Sequence, residues 1–88
     1  MEKDYNIFLR AYPHLDLHGE TTFSIVFIIK DFINDNIKLK NKQIVIVHGK
    51  GTYALKNKTH ELLRENKLVN SFKVDPTNDG QTIVILKC

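Results

Sequence analysis

Two histidine-glycine pairs, each following an apolar segment, are the residues of this chain best suited to chemistry. His18-Gly19 follows the alternating segment Leu15-Asp16-Leu17, and His48-Gly49 follows the aliphatic run 43–47. Imidazole exchanges protons near neutral pH, and a neighbouring carboxylate such as that of Asp16 can orient the ring. These residue types together indicate general acid-base chemistry. A lone histidine is more often structural than catalytic, so the prediction depends on the fold bringing the two pairs together.

The second pair opens a glycine-rich turn, Gly49-Lys50-Gly51-Thr52. Glycine lets the backbone bend sharply and approach a ligand closely. If a helix follows, its free amides and dipole, together with Lys50, favour an anion such as phosphate. The spacing matches neither a nucleotide P-loop nor a dinucleotide fingerprint, so the Gly-x-Gly spacing by itself is weak evidence for a phosphate site.

Two strands and the helix between them are expected to position these residues. Leu15 and Leu17 alternate with Asp16 and His18, which is typical of a short strand with one inward face. The run 43–47 is typical of a central parallel strand buried on both faces. In a right-handed β-α-β unit the carboxyl ends of both strands lie at one edge, so both histidines should meet there.

Helical periodicity predicts one helix from Glu20 to about Ile37, with Glu20 as an acid in its first turn, and another over residues 54–67. The inward faces are expected to carry Phe23, Val26, Phe27, Ile29, Ile33 and Ile37 in the first helix, and Leu55, Thr59, Leu62 and Leu63 in the second. Two strands, 69–74 and 82–86, follow with a turn-forming linker over 75–80.

The resulting β-α-β-α-β-β order predicts an α/β two-layer sandwich, a mixed four-stranded sheet with two helices mainly on one face. Residues 14–88 would form this domain. Residues 1–13 would form an N-terminal arm that packs over the core or pairs with a partner.

Composition limits the remaining possibilities. The 88 residues, 42% hydrophobic and 26% charged, fit one small globular domain. The net charge of +3 permits an anionic partner without requiring one. A single cysteine, Cys88, excludes an intrachain disulfide and a cysteine-based zinc site. The chain shows neither a membrane span nor a signal peptide, so a cytoplasmic location is expected.

Several motifs resemble the Smr domain, the small MutS-related domain, from about His14 to Lys87. They are Leu15-Asp16-Leu17-His18-Gly19, His48-Gly49-Lys50-Gly51-Thr52, Leu55-Lys56 and Gly80-Gln81-Thr82-Ile83-Val84. The resemblance implies a two-layer α/β sandwich and, in many members, a nicking endonuclease acting on DNA or RNA. It also implies a possible place in a larger repair or ribosome-associated assembly.

Three departures from the family pattern bear on function. Tyr53 stands where the family often has glycine, and offers an aromatic face for base stacking. Lys56 stands where arginine is common, which keeps the charge without the bidentate fork. The glycine-rich stretch before the last strand is reduced to Asp79-Gly80. We expect these changes to affect the rate of cleavage more than the binding of nucleic acid.

Within that resemblance each candidate residue has an expected role. Asp16, His18 and His48 are the expected catalytic residues, with the histidines as base and acid and Asp16 orienting His18 or holding a metal. The expected nucleic-acid-binding residues are Gly49, Lys50, Gly51, Thr52, Tyr53 and Lys56. Lys50 with the Gly49 and Gly51 amides would stabilise the phosphate. One divalent ion, magnesium or manganese, is possible, although only Asp16 and Glu20 are near enough to hold it.

Two alternatives to a nuclease stay open: a nucleic-acid-binding module without catalysis, and a protein-interaction domain. Two further histidines, His14 and His60, are expected to be incidental, His60 as a surface residue of the second helix. A basic rim is also expected from Lys38, Lys40, Lys42, Lys50, Lys56 and Lys58.

Overall fold

The computed structural model describes residues 12–51 and 53–87. The elements are β1 (His14–Asp16), α1 (Ile25–Lys38), β2 (Gln43–Val47), α2 (Tyr53–Glu65), β3 (Val69–Asp75) and β4 (Asn78–Leu86). This is the predicted element order. None of the helices in the described ranges is long and apolar enough to cross a membrane.

The four strands form one mixed sheet in the order β1-β2-β4-β3. β1 and β2 are parallel, and β4 pairs antiparallel with both β2 and β3. Asp16 lies opposite Val47, which in turn lies opposite Gln81. The carboxyl ends of β1 and β2 and the start of β4 therefore share one edge, as the parallel pairing of β1 and β2 requires.

The core lies on both faces of β2. Ile44, Val45 and Ile46 have 0% relative exposure, which confirms a strand buried on both sides. The helix-covered face holds the larger cluster, built from Leu17, Ile25, Ile29, Ile33, Ile44, Ile46, Leu63, Val69, Val84 and Leu86. On the opposite face Val45 and Ile83 pack with Tyr12 and Val47.

Tyr12 and Pro13 are the described part of the predicted arm, and residues 1–11 of that prediction lie outside the described residues. Tyr12 packs against the sheet face that carries Val45. The boundary between arm and domain at residue 14 stays a prediction.

The start of α1 differs from the prediction. The helix begins at Ile25, and the Thr21 and Ser24 side chains close a turn just before it. The Thr21 N–H donates to Ser24 Oγ and the Ser24 N–H donates to Thr21 Oγ1, both at 3.0 Å. Such local side-chain bonds compete with helical ones for the backbone amides. Glu20 precedes the helix and accepts a 2.9 Å bond from Ser24 Oγ, so its predicted place in the first turn is wrong.

The predicted inward face of α1 is partly wrong. Phe23 and Phe27 are 77% and 61% exposed, and their rings meet edge to face at 6.2 Å. The buried stripe is Ile25, Ile29 and Ile33. The isoleucine stripe is buried because it stays apolar for two turns. The stripe through the phenylalanines continues to the charged Lys30.

The β3–β4 hairpin is tighter than predicted. Asp75 pairs with Asn78, so the connection has only two residues, and β4 begins at Asn78 rather than at residue 82. Asp75 closes the turn, since Oδ1 accepts 2.8 Å bonds from the Thr77 N–H and hydroxyl and Oδ2 accepts a 2.7 Å bond from Gln81. This longer β4 carries Gly80 and Thr82 to the edge where β2 ends.

Candidate functional site

A cleft of about 710 Å³ opens at the shared edge of β1 and β2. It is lined by Asp16, His18, Gly19, Glu20, Thr21, Thr22, Val47, His48, Gly49, Gly51, Ala54 and Leu55. The structure thus brings together all three predicted catalytic residues and two glycines of the turn. Lys50, Tyr53 and Lys56 lie beside the cleft in sequence but do not line it, and Thr52 lies outside the described residues.

Asp16 and His18 are joined through the backbone. Asp16 Oδ1 accepts a 2.9 Å bond from the His18 N–H, and Gly19, with φ of +80°, completes the turn. The carboxylate therefore holds the turn, and the expected contact between Asp16 and the His18 ring is absent. His18 is exposed, and its ring has no hydrogen-bond partner among residues 12–51 and 53–87. The imidazole is free to meet a ligand.

His48 occupies a different environment, because it is only 3% exposed. Its Nε2 lies 2.8 Å from Thr82 Oγ1, and its Nδ1 lies 3.2 Å from the Gly49 carbonyl oxygen. Burial lowers the pKa of His48, and the charge of Lys56 lowers it further, while the Gly49 bond acts in the opposite direction. The ring is therefore neutral at pH 7, with both nitrogens engaged.

His60 joins this arrangement, so the expectation of a surface residue is wrong. Its Nε2 lies 2.8 Å from the same Thr82 hydroxyl, and its ring lies 5.9 Å from His48 and 5.1 Å from Phe72 between centroids. Burial is also the main cause of its lowered pKa. The sequence held one signal: Thr82 alternates with Val84 and Leu86 on the helix-covered face, and a polar group there needs a partner.

The glycine turn is fastened to β4. The N–H groups of His48 and Gly49 both donate to the Gly80 carbonyl, at 3.0 and 2.8 Å. The Gly49 N–H is therefore already bonded within the protein, and its expected donation to phosphate stays a prediction. Gly49 has φ of +85°, a conformation that glycine adopts without steric cost.

Fewer lysines lie near the glycine turn than the predicted basic rim contains. Lys50 Nζ lies 3.9 Å from Asp79 Oδ1, and because both side chains are well exposed this pair holds Lys50 only weakly. Lys56 is half-buried and close enough to lower the pKa of both His48 and His60. Lys38, Lys40 and Lys42 precede β2, a strand length of about 16 Å from the turn. The rim is therefore not one continuous patch.

A metal site does not emerge from the donor set. Within the described ranges no group of three or more His, Cys, Asp or Glu side chains is placed to hold an ion. At the cleft Glu20 is already bonded to Ser24, and one oxygen of Asp16 holds the turn. These residues do not fit a metal held by protein ligands alone, and the predicted magnesium or manganese stays a prediction.

The comparison with known families decides the identity of this domain. A sequence model of the Smr domain family matches residues 15–87. The chain belongs to the Smr domain family. Endonuclease MutS2 of Geobacillus sp. (strain WCH70) is 32% identical over 84 residues, which cover 96% of this chain and 10% of the relative. Putative endonuclease MutS2 of Bacillus subtilis (strain 168) is 31% identical over 88 residues, 97% of this chain and 11% of the relative.

This Smr domain spans only about a tenth of those relatives. Among solved structures, the crystal structure of the Smr domain of Thermus thermophilus MutS2 matches with a TM-score of 0.83 and 30% identity, over 86% of this chain and 99% of that chain. YdaL, a stand-alone small MutS-related protein from Escherichia coli, matches with a TM-score of 0.81 and 21% identity, over 91% of this chain and 72% of that chain, and shares the fold. The predicted resemblance and fold class are confirmed.

Proposed function

We propose that this Smr domain binds nucleic acid at the cleft and hydrolyses a phosphodiester bond there, with His18 as the group that exchanges protons. One observation carries the proposal: an exposed imidazole that has no hydrogen-bond partner among the described residues shares a cleft with the glycine turn that precedes α2. The MutS2 relatives are named endonucleases, which supports the same reaction class.

Binding would centre on the phosphate backbone. α2 begins at Tyr53, directly after the turn, so its first amides and its dipole favour an anion next to Gly51. Lys50 adds a charge that its weak pairing with Asp79 leaves available. Tyr53 is 72% exposed and offers a ring on which an unpaired base can stack.

Hydrolysis needs a base, charge stabilisation and protonation of the leaving oxygen. His18 would accept the proton of the attacking water and return it to the leaving oxygen. The Asp16 carboxylate would hold the turn that carries His18, because it accepts a hydrogen bond from the His18 backbone N–H. Lys50 and the first amides of α2 would stabilise the charge on the phosphate.

The test is cleavage of labelled branched DNA, supercoiled DNA and structured RNA by wild type, His18→Ala and His14→Ala, each with magnesium, manganese or EDTA. We expect His18→Ala to lose about 100-fold or more in rate, the usual contribution of a general base. His14→Ala is the matched control, because His14 is also exposed but lies at the far end of β1. Cleavage that survives His18→Ala would refute the mechanism.

Binding without hydrolysis is the second candidate, and the burial of His48 favours it. One of the two junction histidines is enclosed with both nitrogens engaged, which leaves a single exposed imidazole at the cleft. In that case no substrate is cut under any metal condition, and Lys50→Ala weakens binding and flattens its salt dependence. His18→Ala would then leave affinity nearly unchanged.

A further inference from the structure

Three side chains from different parts of the fold form one hydrogen-bonded chain beside the cleft. His48 follows β2, Thr82 lies in β4 and His60 lies in α2, and both imidazole Nε2 atoms lie 2.8 Å from the Thr82 hydroxyl oxygen. Thr82 has 0% exposure, so water does not supply a partner. A hydroxyl has one hydrogen, so it donates to one ring and must accept from the other.

The Gly49 carbonyl decides the direction of this chain. A carbonyl oxygen only accepts, so the 3.2 Å contact requires the hydrogen of His48 to be on Nδ1. A neutral imidazole carries one ring hydrogen, which leaves Nε2 of His48 to accept from Thr82. His60 must then donate its Nε2–H to the Thr82 oxygen.

We infer that Thr82 and His60 are positioning residues of this site, which lock His48 in its Nδ1–H tautomer and thereby set the orientation of the Gly49–Lys50 peptide. In that orientation the Gly49 carbonyl faces the His48 ring. The N–H of Lys50 belongs to the same trans peptide and points the opposite way. An anion that approaches the turn from the side away from the ring therefore meets an amide instead of a carbonyl.

The other tautomer would oppose this arrangement. With its hydrogen on Nε2, His48 would turn the bare lone pair of Nδ1 toward the Gly49 carbonyl oxygen at 3.2 Å. Two acceptors repel at that distance, so the peptide would rotate. The Thr82–His60 pair prevents this by presenting a hydroxyl donor to His48 Nε2.

Proton uptake by His48 would also release the lock. Both Nε2–H groups would then face the Thr82 oxygen, leaving the buried hydroxyl hydrogen without an acceptor. The charges that act on the pair are Lys56 and Arg64 of α2 and Asp79 of β4. Burial is the main reason that both rings stay neutral, and the neighbouring cations act in the same direction. This role for the turn rests on the proposed function, since it assumes that the turn meets phosphate.

Long-range proton-nitrogen NMR of the histidine rings tests the lock directly in the full chain. In wild type near pH 7.5 we expect His48 Nδ1 to be protonated and Nε2 to be bare. Thr82→Val keeps the side-chain shape but removes the hydroxyl, and should give a mixture of tautomers, while Thr82→Ser should restore the wild-type signals. The control is Thr59→Val, which removes a buried hydroxyl at the position next to His60 on α2.

Affinity for a fluorescent hairpin oligonucleotide, measured on the same proteins, tests the consequence. We expect Thr82→Val to weaken binding about tenfold and Thr59→Val to leave it unchanged. A protonated Nε2 on wild-type His48, or a tautomer unchanged by Thr82→Val, overturns the inference. A tautomer change with unaltered affinity overturns the positioning role. Expected tautomers in a protein that binds no oligonucleotide refute the proposed function and leave the lock standing.

Discussion

His18 and His48 follow strands that end at the same edge, yet they have opposite exposures. His18 leaves β1, an edge strand, and is open to solvent, whereas His48 leaves the central strand β2 and is covered by β4 and α2. A molecule in the cleft can reach the first ring directly. The second ring acts on the turn that follows it.

Two threonines with equal burial should respond in opposite ways to loss of the hydroxyl. Thr59 and Thr82 both have 0% exposure, but Thr59 Oγ1 has no hydrogen-bond partner within the described residues. We expect Thr59→Val to raise the free energy of unfolding by about 1 kcal/mol. We expect Thr82→Val to lower it by about 1–2 kcal/mol, because two ring nitrogens lose their partner. Urea unfolding measures both, and equal effects would contradict the assigned bonds.

The two glycines of the turn form a second matched pair. Gly49 has φ of +85°, whereas Gly51 does not have a positive φ and has open space where a Cβ would lie. We expect Gly49→Ala to cost about 1–2 kcal/mol of stability through left-handed strain. Gly51→Ala should change stability by less than about 0.5 kcal/mol. A smaller loss for Gly49→Ala than for Gly51→Ala in urea unfolding would show that the turn is not fixed as described.

The parallel pairing of β1 and β2 was predictable, because a single aliphatic run identified β2 and a helix connects the two strands. The place of β4 between β2 and β3 was not predicted. The start of α1 could not be predicted, because the side chains of Thr21 and Ser24 accept hydrogen bonds from each other's backbone amides. Hydrophobic periodicity does not reveal such bonds. The length of β4 was also missed. Asp75 satisfies the hairpin turn by itself, so residues that looked like a loop continue the strand.

The hairpin should depend strongly on Asp75. Burial raises the pKa of its carboxyl, but hydrogen bonds from Thr77, Gln81 and Asn78 outweigh burial and lower the pKa overall. We expect Asp75→Ala to cost about 2 kcal/mol, because the lost bonds involve a charged acceptor. Asp79→Ala, which removes only an exposed ion pair, should cost less than about 1 kcal/mol. Equal losses in thermal unfolding would contradict the described turn.

For the molecule as a whole, the buried His48 and the half-buried His60 predict a stability that falls in mild acid. The pKa values of His48 and His60 are lowered from 6.5, so the unfolded chain binds more protons than the folded one as pH falls. The free energy of unfolding should therefore be highest above pH 6.5 and decrease below it. Urea unfolding at pH 7.5 and 5.5 measures the change.

His60→Gln keeps an N–H donor for Thr82 but does not titrate, so it should reduce this acid sensitivity. The exposed His14 provides the control. Between pH 7.5 and 5.5, the stability of His14→Ala should fall as much as that of wild type. A wild-type stability that rises between pH 7.5 and 5.5 would contradict the neutral state assigned to the two rings.

The cleft as a unit was predictable from topology, since the carboxyl ends of β1 and β2 must share an edge. Its internal bonding was not. Whether a histidine beside that edge is exposed or buried depends on its contacts with β4. In the sequence, β4 is separated from β2 by a helix and a strand. His60 was missed for the same reason, because its partner Thr82 is 22 residues away.

The interior position of β4 has a consequence for the order of events on the ribosome. β4 is the last strand along the sequence, yet it pairs with β2 in the middle of the sheet. A nascent chain that has emerged only as far as β3 already contains both histidine-glycine pairs, but lacks the Gly80 carbonyl and the Thr82 hydroxyl. The glycine turn therefore acquires its bonds to β4 only when translation of this domain is nearly complete.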